Sequence, residues 1–411
     1  MDITVKSNLP EDDGKIVNIK VFGVGGGGNN AINRMAEIGV RGATLVAVNA
    51  DIPVLRLSKA NEIIGIGQTI TKGRGAGANP EIGREAAEES REDIRRALEG
   101  VDMLYITAGM GGGTGTGAAP VIAKIAREMQ ILTVAVVTKP FAFEGKQRTA
   151  VAEDGIEKLK QYVDALIVVS NERLREISDT PITFKNAFAE ADGVLISSVK
   201  SICELIDKES YVNLDFADVT TILQDSGEAH IGIGEARGPQ KAAQAAEQAI
   251  QSPLLDTSIE SAEGIIISIR CDENVGVDEI NAATTMITDK VNPGAKIIWG
   301  IDFVKEESDF LQIVVIATKM GGERRIAIVD GEVEDEQAVV NAANDNDGNG
   351  AEESRNTPSV AATAQDNQVN AVNPAVSPDV EAGDADDDDD DLFTSEEFEQ
   401  IKIVANNSTK K

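Results

Sequence analysis

The chain has almost none of the residues on which several common chemistries depend. Among 411 residues there is one histidine, His230, and there are two cysteines, Cys203 and Cys271. A lone imidazole cannot build a Ser-His-Asp triad or a multi-histidine metal centre, and two scattered thiols cannot build a disulfide framework or a zinc site. A surface or packing role is expected for His230, and a reducing compartment for the thiols. No run is long and apolar enough to span a bilayer. The start, MDITVKSNLPEDDGK, has acidic residues and no apolar h-region, so it reads as neither a signal nor a transit peptide. Positive charge is scarce too: 38 basic residues face 70 acidic ones, a net charge of −32. That balance argues against nucleic-acid binding or an anionic-membrane surface, because both work by neutralising phosphates with Lys and Arg. The cytoplasm is the expected setting.

Glycine, by contrast, is concentrated where it has consequences. The run AGMGGGTGTG at 108–117 follows the apolar stretch 101–107 and leads into the helical pattern AAPVIAKIAREM. Strand, bare-backbone loop and helix start in succession make a phosphate cradle, since glycine permits positive φ and close approach while the first N–H groups of the helix point at the anion. A second run, GVGGGGNN at 23–30, follows the apolar stretch 16–22. Its Gly23, Gly25 and Gly28 satisfy G-x-G-x-x-G, and Asp51 lies about 20 residues further on, as in a dinucleotide fingerprint. One such loop would suit a nicotinamide or flavin enzyme. Two of them at the ends of neighbouring parallel strands suit a triphosphate held along its length, and no proton donor for a hydride site is evident.

The segments IVNIKVF, ATLVAVN, NEIIGIG, DMLYIT, LTVAVVT and ALIVVS alternate with helical patterns up to about residue 170, the signature of a parallel sheet wrapped by helices. One helix is predicted from the Asn79 cap and Pro80 to Gly100. A long helical pattern runs from about 184 to 207, followed by NLDFADV at 213–219. Helices near 238–251 and 275–289 and the strands GIIISIR, AKIIWGI and LQIVVIAT then predict a smaller mixed-sheet domain packed on the first. His230 and Ile231 precede a GIG segment read as a turn. From Gly321 onward there are 23 acidic and 6 basic residues, a net of −17, with six consecutive aspartates at Asp386 to Asp391, so this stretch is predicted to be disordered. Near the end, Thr394 and Glu397 form a capping box amid Leu392, Phe393, Phe398, Ile401 and Val404. This reads equally as a peptide that folds on a partner or as a tail with scattered apolar residues.

The segments GVGGGGNNAINRM, NADIPVL, RGAGANPEIGRE, AGMGGGTGTGAAPVIA, TKPFAFEGKQR, NAFAEADGVL, NLDFADV and SPLL occur in an order and spacing that resemble the FtsZ family, the bacterial and archaeal relatives of tubulin. The resemblance covers roughly 15–320. It implies an α/β, Rossmann-like parallel-sheet GTPase domain at 15–183, a central helix at 184–208 and a smaller α+β domain at 209–320. A flexible start at 1–14, an acidic linker at 321–391 and a tail peptide at 392–411 complete the organisation. It further implies head-to-tail homopolymers that cleave GTP and build the division ring in the cytoplasm.

Carried over position by position, the resemblance assigns Gly26, Gly27, Gly28, Asn29, Gly112, Gly113, Thr114 and Gly115 to the phosphates of GTP or GDP. It assigns Asn30 and Asp192 to guanine and Phe188 to stacking on the base. Glu144 matches the ribose contact, Arg148 a neighbouring nucleotide contact, Asn171 a further ribose or base position, and Arg34 another nucleotide-site residue. Asn213, Asp215 and Asp218 match the catalytic segment, which reaches the γ-phosphate of the next subunit. Taken singly, Phe188 would read as core, Arg148 as a helix-surface charge, Asp192 as a solvated carboxylate, Asp215 as an N-cap and Asp218 as a first-turn acid. Mg²⁺ is implied with the triphosphate, and the resemblance allows a monovalent cation near Asp215 and Asp218. Division adaptors would dock on the C-terminal tail, but the family's tail pattern of Pro, Phe-Leu and Arg has no copy here, and Lys410 and Lys411 are too few for membrane attachment. Other departures are Ala50 for threonine, Ser170 for proline, and KESYVN in place of a Pro-Gly stretch.

Overall fold

Every apolar run named above forms a strand in the computed structural model, which describes residues 17–177, 183, 186–207, 211–255, 259–304 and 309–319. The expected flexible start, acidic linker and tail peptide lie outside the described residues, as do the first three residues of KESYVN. The first half runs β1 Ile19–Val24, α1 Gly25–Ile38, β2 Thr44–Asn49, α2 Ile52–Leu55, β3 Glu62–Gly65, α3 Gln68–Thr71, α4 Pro80–Glu89, α5 Arg91–Ala97, β4 Met103–Gly109, α6 Thr114–Glu128, β5 Leu132–Lys139, α7 Lys146–Lys160, β6 Ala165–Ser170 and α8 Leu174–Ile177. The second half runs α9 Ala187–Ile206, α10 Phe216–Leu223, β7 Gly227–Arg237, α11 Lys241–Ile250, β8 Gly264–Cys271, α12 Val277–Thr288, β9 Lys296–Phe303 and β10 Phe310–Thr318.

The strands form one sheet in the order β3-β2-β1-β4-β5-β6-β7-β10-β8-β9. Strands β1 to β6 pair in parallel, which explains their unbroken apolar runs: both faces are covered by helices. Val21 belongs to the core shared with α1 and α9, while its neighbour Phe22 belongs to the core on the opposite face under α4, α5 and α6. The second block is mixed as predicted, with β10 antiparallel to β7 and β8 and β8 parallel to β9. It continues the same sheet, because β7 adds in parallel to β6 at Ala165 to Ile167.

Two local expectations are corrected by packing. The predicted helix after Asn79 is split at Ser90 into α4 and α5, and the Ser90 hydroxyl there accepts the N–H of Gly67 at 3.0 Å. The GIG segment is the middle of β7. Gly232 and Gly234 are needed there because Cβ atoms would run into the α11 carbonyls of Ala249 and Ala245, so α11 lies directly on the strand. His230, half-buried, faces Ala317 across the ladder. Both cysteines are buried.

Helix α9 joins the two halves. Ala191, Leu195, Val199, Ile202 and Ile206 recur on one buried face, as a helical period requires. At its far end the buried Glu204 lies 3.9 Å from Arg41, 3.6 Å from Lys200 and 3.4 Å from Arg270. Arg41 also reaches the buried Asp302 on β9 at 2.7 Å. Burial pushes the Glu204 carboxyl up despite these three cations. The turn after α1 is thereby tied to α9, β8 and β9.

Candidate nucleotide site

The sheet order reverses between β1 and β4, and ligands of open α/β sheets collect in the crevice outside the strand ends at such a point. Both glycine runs are there. A Cβ on Gly25 (φ +72°) would come within 2.7 Å of the Gly115 nitrogen, and one on Gly27 within 3.2 Å of Gly109, so the two loops lie against each other. Gly25, Gly26 and Gly27 open α1, and Thr114, Gly115 and Thr116 open α6. The N–H groups of a first turn have no helical acceptor, so two sets of donors face one crevice.

Side chains within the loops brace them. Buried Asn29 donates from Nδ2 to the Gly23 carbonyl at 2.7 Å and accepts from Asn49 Nδ2 at 2.8 Å. The Thr116 hydroxyl accepts the Gly111 N–H at 2.8 Å. Gly28 makes room for the Thr107 carbonyl, and Gly117 for that of Pro80 where α4 meets α6. Gly26 and Gly112, by contrast, have open space where a Cβ would stand. Asp51 is a cap: its carboxylate accepts the Val54 N–H at 3.1 Å.

The ends of β5, β6 and α9 supply the rest. Asn30 is exposed on the second turn of α1. Glu144 accepts the Phe141 N–H at 2.8 Å and pairs with Arg148 at 3.2 Å, and the Arg148 backbone packs on Gly111 of the second loop. Phe188 is 43% exposed rather than core, edge-on to Phe141 at 5.7 Å and Phe143 at 6.5 Å. Asp192 is buried rather than solvated, with Arg34 Nε 3.1 Å from its carboxylate. Burial pushes its pKa up to about 6, and Arg34 opposes the rise. Asn171 is 4% exposed, and its Oδ1 has no hydrogen-bond partner. A buried acceptor left open, first-turn N–H donors and a half-exposed aromatic ring at the same strand ends fit a nucleotide.

Asn213, Asp215 and Asp218 are not brought to this crevice. All three are exposed. Asp215 caps α10, its carboxylate accepting the Ala217 N–H at 3.1 Å, and Asp218 pairs with Lys296 Nζ at 3.0 Å. Their segment is attached to the far end of α9, where the Leu214 N–H donates to the Leu205 carbonyl at 2.8 Å. Asp192 and Leu205 are 13 residues apart on α9, about 20 Å at the helical rise of ~1.5 Å per residue. Sequence reading missed Asn49, Thr116, Phe141, Phe143 and Lys296. Only the Phe-rich TKPFAFEG segment carried a local signal, two aromatics beside a strand end.

Two glycine loops pressed together at the switch point of an open, mostly parallel sheet define a nucleotide-binding α/β domain. The model of the Tubulin/FtsZ family GTPase domain matches residues 18–179, and that of the FtsZ family C-terminal domain matches 227–321. The structure is similar to an empty FtsZ dimer of M. jannaschii, with 40% identity and a TM-score of 0.71 over 79% of this chain and all of that one. It shares the fold of CetZ2 from Haloferax volcanii, a GTPγS-bound protofilament, at 20% identity and a TM-score of 0.62, over 75% of this chain and 95% of that one. The chain belongs to the FtsZ family. It is a GTPase that binds GTP and GDP.

Proposed function

We propose that this chain hydrolyses GTP only where copies stack head to tail, the acid end of one subunit against the nucleotide of the next, and that the resulting filaments form the division ring of the cytoplasm. The observation that carries this reading is the separation of about 20 Å along α9 between Asp192 and the attachment of the acid segment. An aspartate side chain cannot span that distance within one subunit, whereas stacking two copies removes it. The dimeric and protofilament states of the M. jannaschii and H. volcanii proteins support such stacking.

In this reading Gly26, Gly27, Gly28, Asn29, Gly112, Gly113, Thr114 and Gly115 form the phosphate cradle. Asp192, oriented by Arg34, accepts from guanine N1–H and the exocyclic amine, a pair of donors that adenine lacks. Asn30 adds a base contact and Phe188 stacks on the ring. Glu144, Arg148 and Asn171 line the sugar side. Asn213, Asp215 and Asp218 of the neighbour orient water in line with the γ-phosphate, since phosphoryl transfer needs placement and charge more than covalent help. Among the described residues there is no cluster of three or more metal-ligating side chains. Mg²⁺ would be carried on phosphate oxygens and water, where it would offset the triphosphate charge.

The test is sedimentation and phosphate release with GTP or GDP for the intact chain, Asp215→Ala and Asp218→Ala. The chain should pellet with GTP, its turnover per subunit should climb with concentration, and both variants should bind GTP yet fail to turn it over. Full activity in subunits too dilute to associate would sink the proposal.

A further inference from the structure

The acid segment is held at both ends by one strand. At its start, Val212 and Ile301 of β9 exchange backbone hydrogen bonds of 3.1 and 3.3 Å. At its end, Lys296 of β9 donates from Nζ to Asp218 Oδ1 at 3.0 Å. The base of Lys296 is itself fixed, since its N–H donates to the Glu263 carbonyl at 2.8 Å and it pairs with Gly264 in the β8 register. Only the side-chain stem is free to adjust. Among the described residues, Lys296 is the one cation in an ion pair with either Asp215 or Asp218.

In the free subunit this pair gains little. The side chains are 45% and 53% exposed, and an exposed pair contributes at most about 1 kcal/mol. At a seam the balance changes. Two carboxylates brought against a triphosphate repel it, and the repulsion grows as water is excluded and the effective dielectric falls. An ammonium already bonded to one carboxylate cancels a unit of that charge and strengthens its hold for the same reason. We propose that Lys296 is a positioning residue for hydrolysis, clamping the Asp218 carboxylate and neutralising it as it meets the neighbour's nucleotide. The proposal rests on the reading of Asp215 and Asp218 as acids acting across the seam.

The test uses the full chain carrying Lys296→Met, Lys296→Arg, Asp218→Asn, or Lys296→Met with Asp218→Asn. Phosphate release is normalised to sedimented protein, and GTP affinity is measured on dilute subunits. Lys296→Met should lose about tenfold or more in turnover per sedimented subunit, the scale expected when a catalytic group is misplaced. Its GTP affinity should stay within about twofold, because Lys296 is remote from its own nucleotide crevice, and Lys296→Arg should restore turnover to within about threefold by replacing one cation with another. The double variant should be no slower than Asp218→Asn alone, since Lys296 acts through Asp218. Unchanged turnover in Lys296→Met, no rescue by arginine, or losses that multiply in the double variant would each overturn the proposal. If Asp218→Asn itself turns over normally, the acid reading fails. If Asp218→Asn is inactive while Lys296→Met is normal, only the role of Lys296 fails.

Discussion

Replacing Asp192 by asparagine should make the empty chain more stable and a poorer binder of GTP. The Asp192 side chain is 11% exposed, and burial lifts its pKa from 3.8 to about 6 against the pull of Arg34. A rise of about two units corresponds to about 3 kcal/mol at 1.36 kcal/mol per unit, taken as an upper bound. The sign follows from proton binding. The folded chain holds this proton more tightly than the unfolded chain, so the stabilising contribution is complete below pH 3.8 and is lost as pH rises through about 6. At pH 7.5 the empty chain therefore carries the whole cost of a buried carboxylate. Asparagine removes that cost but leaves Arg34 without its partner. Arg34 is 41% exposed and stays hydrated, which offsets about 1 kcal/mol. The net gain is about 1–2 kcal/mol, or a rise of about 2–6 °C in the unfolding midpoint. Thermal unfolding of nucleotide-free protein between pH 4 and 8 reads this directly: wild type should lose ground to the variant between about pH 4 and 6. On the proposed role of Asp192 the order should reverse with saturating GTP, because the amide cannot accept from both guanine donors and ligand linkage then favours the wild type. A variant less stable than wild type at pH 7.5 without nucleotide, or a difference that does not change with pH, would refute the reasoning.

Two further substitution experiments separate fold from site. Gly112→Ala meets nothing at the new Cβ, so its unfolding midpoint should match wild type while GTP affinity falls. Gly117→Ala drives a methyl into the Pro80 carbonyl where α4 meets α6 and should lose about 1–3 kcal/mol by urea titration. Arg41→Ala strips Asp302 of its 2.7 Å partner and Glu204 of one of three cations. Arg41 is 39% exposed, so the loss should be about 2 kcal/mol, below the range for a fully buried pair, again by urea titration.

Much of the fold was legible because its causes are local. Continuous apolar runs such as Met103 to Ile106 announce strands covered on both faces, and the glycine runs after β1 and β4 announce loops that bring bare backbone to an anion. The break at Ser90 and the strand β7 were not legible. Ser90 splits its helix in order to receive the N–H of Gly67, 23 residues away, and Gly232 and Gly234 look like turn residues until α11 is laid across them.

For the site, sequence alone determined the residue types and their order along the chain: two glycine loops, a helix bearing Phe188 and Asp192, and the acids Asp215 and Asp218. Spacing along a chain carries that information because strands, turns and helix starts depend on neighbours within a few residues. Tertiary structure alone decided which of these meet. It pressed Gly25 against Gly115, buried Asp192 beside Arg34, left Asn171 Oδ1 without a partner, and set Lys296 on Asp218 across 78 residues. It also put the length of α9 between the acids and their own nucleotide crevice, since the contacts that place the ends of a helix belong to whatever packs there and not to the helix itself.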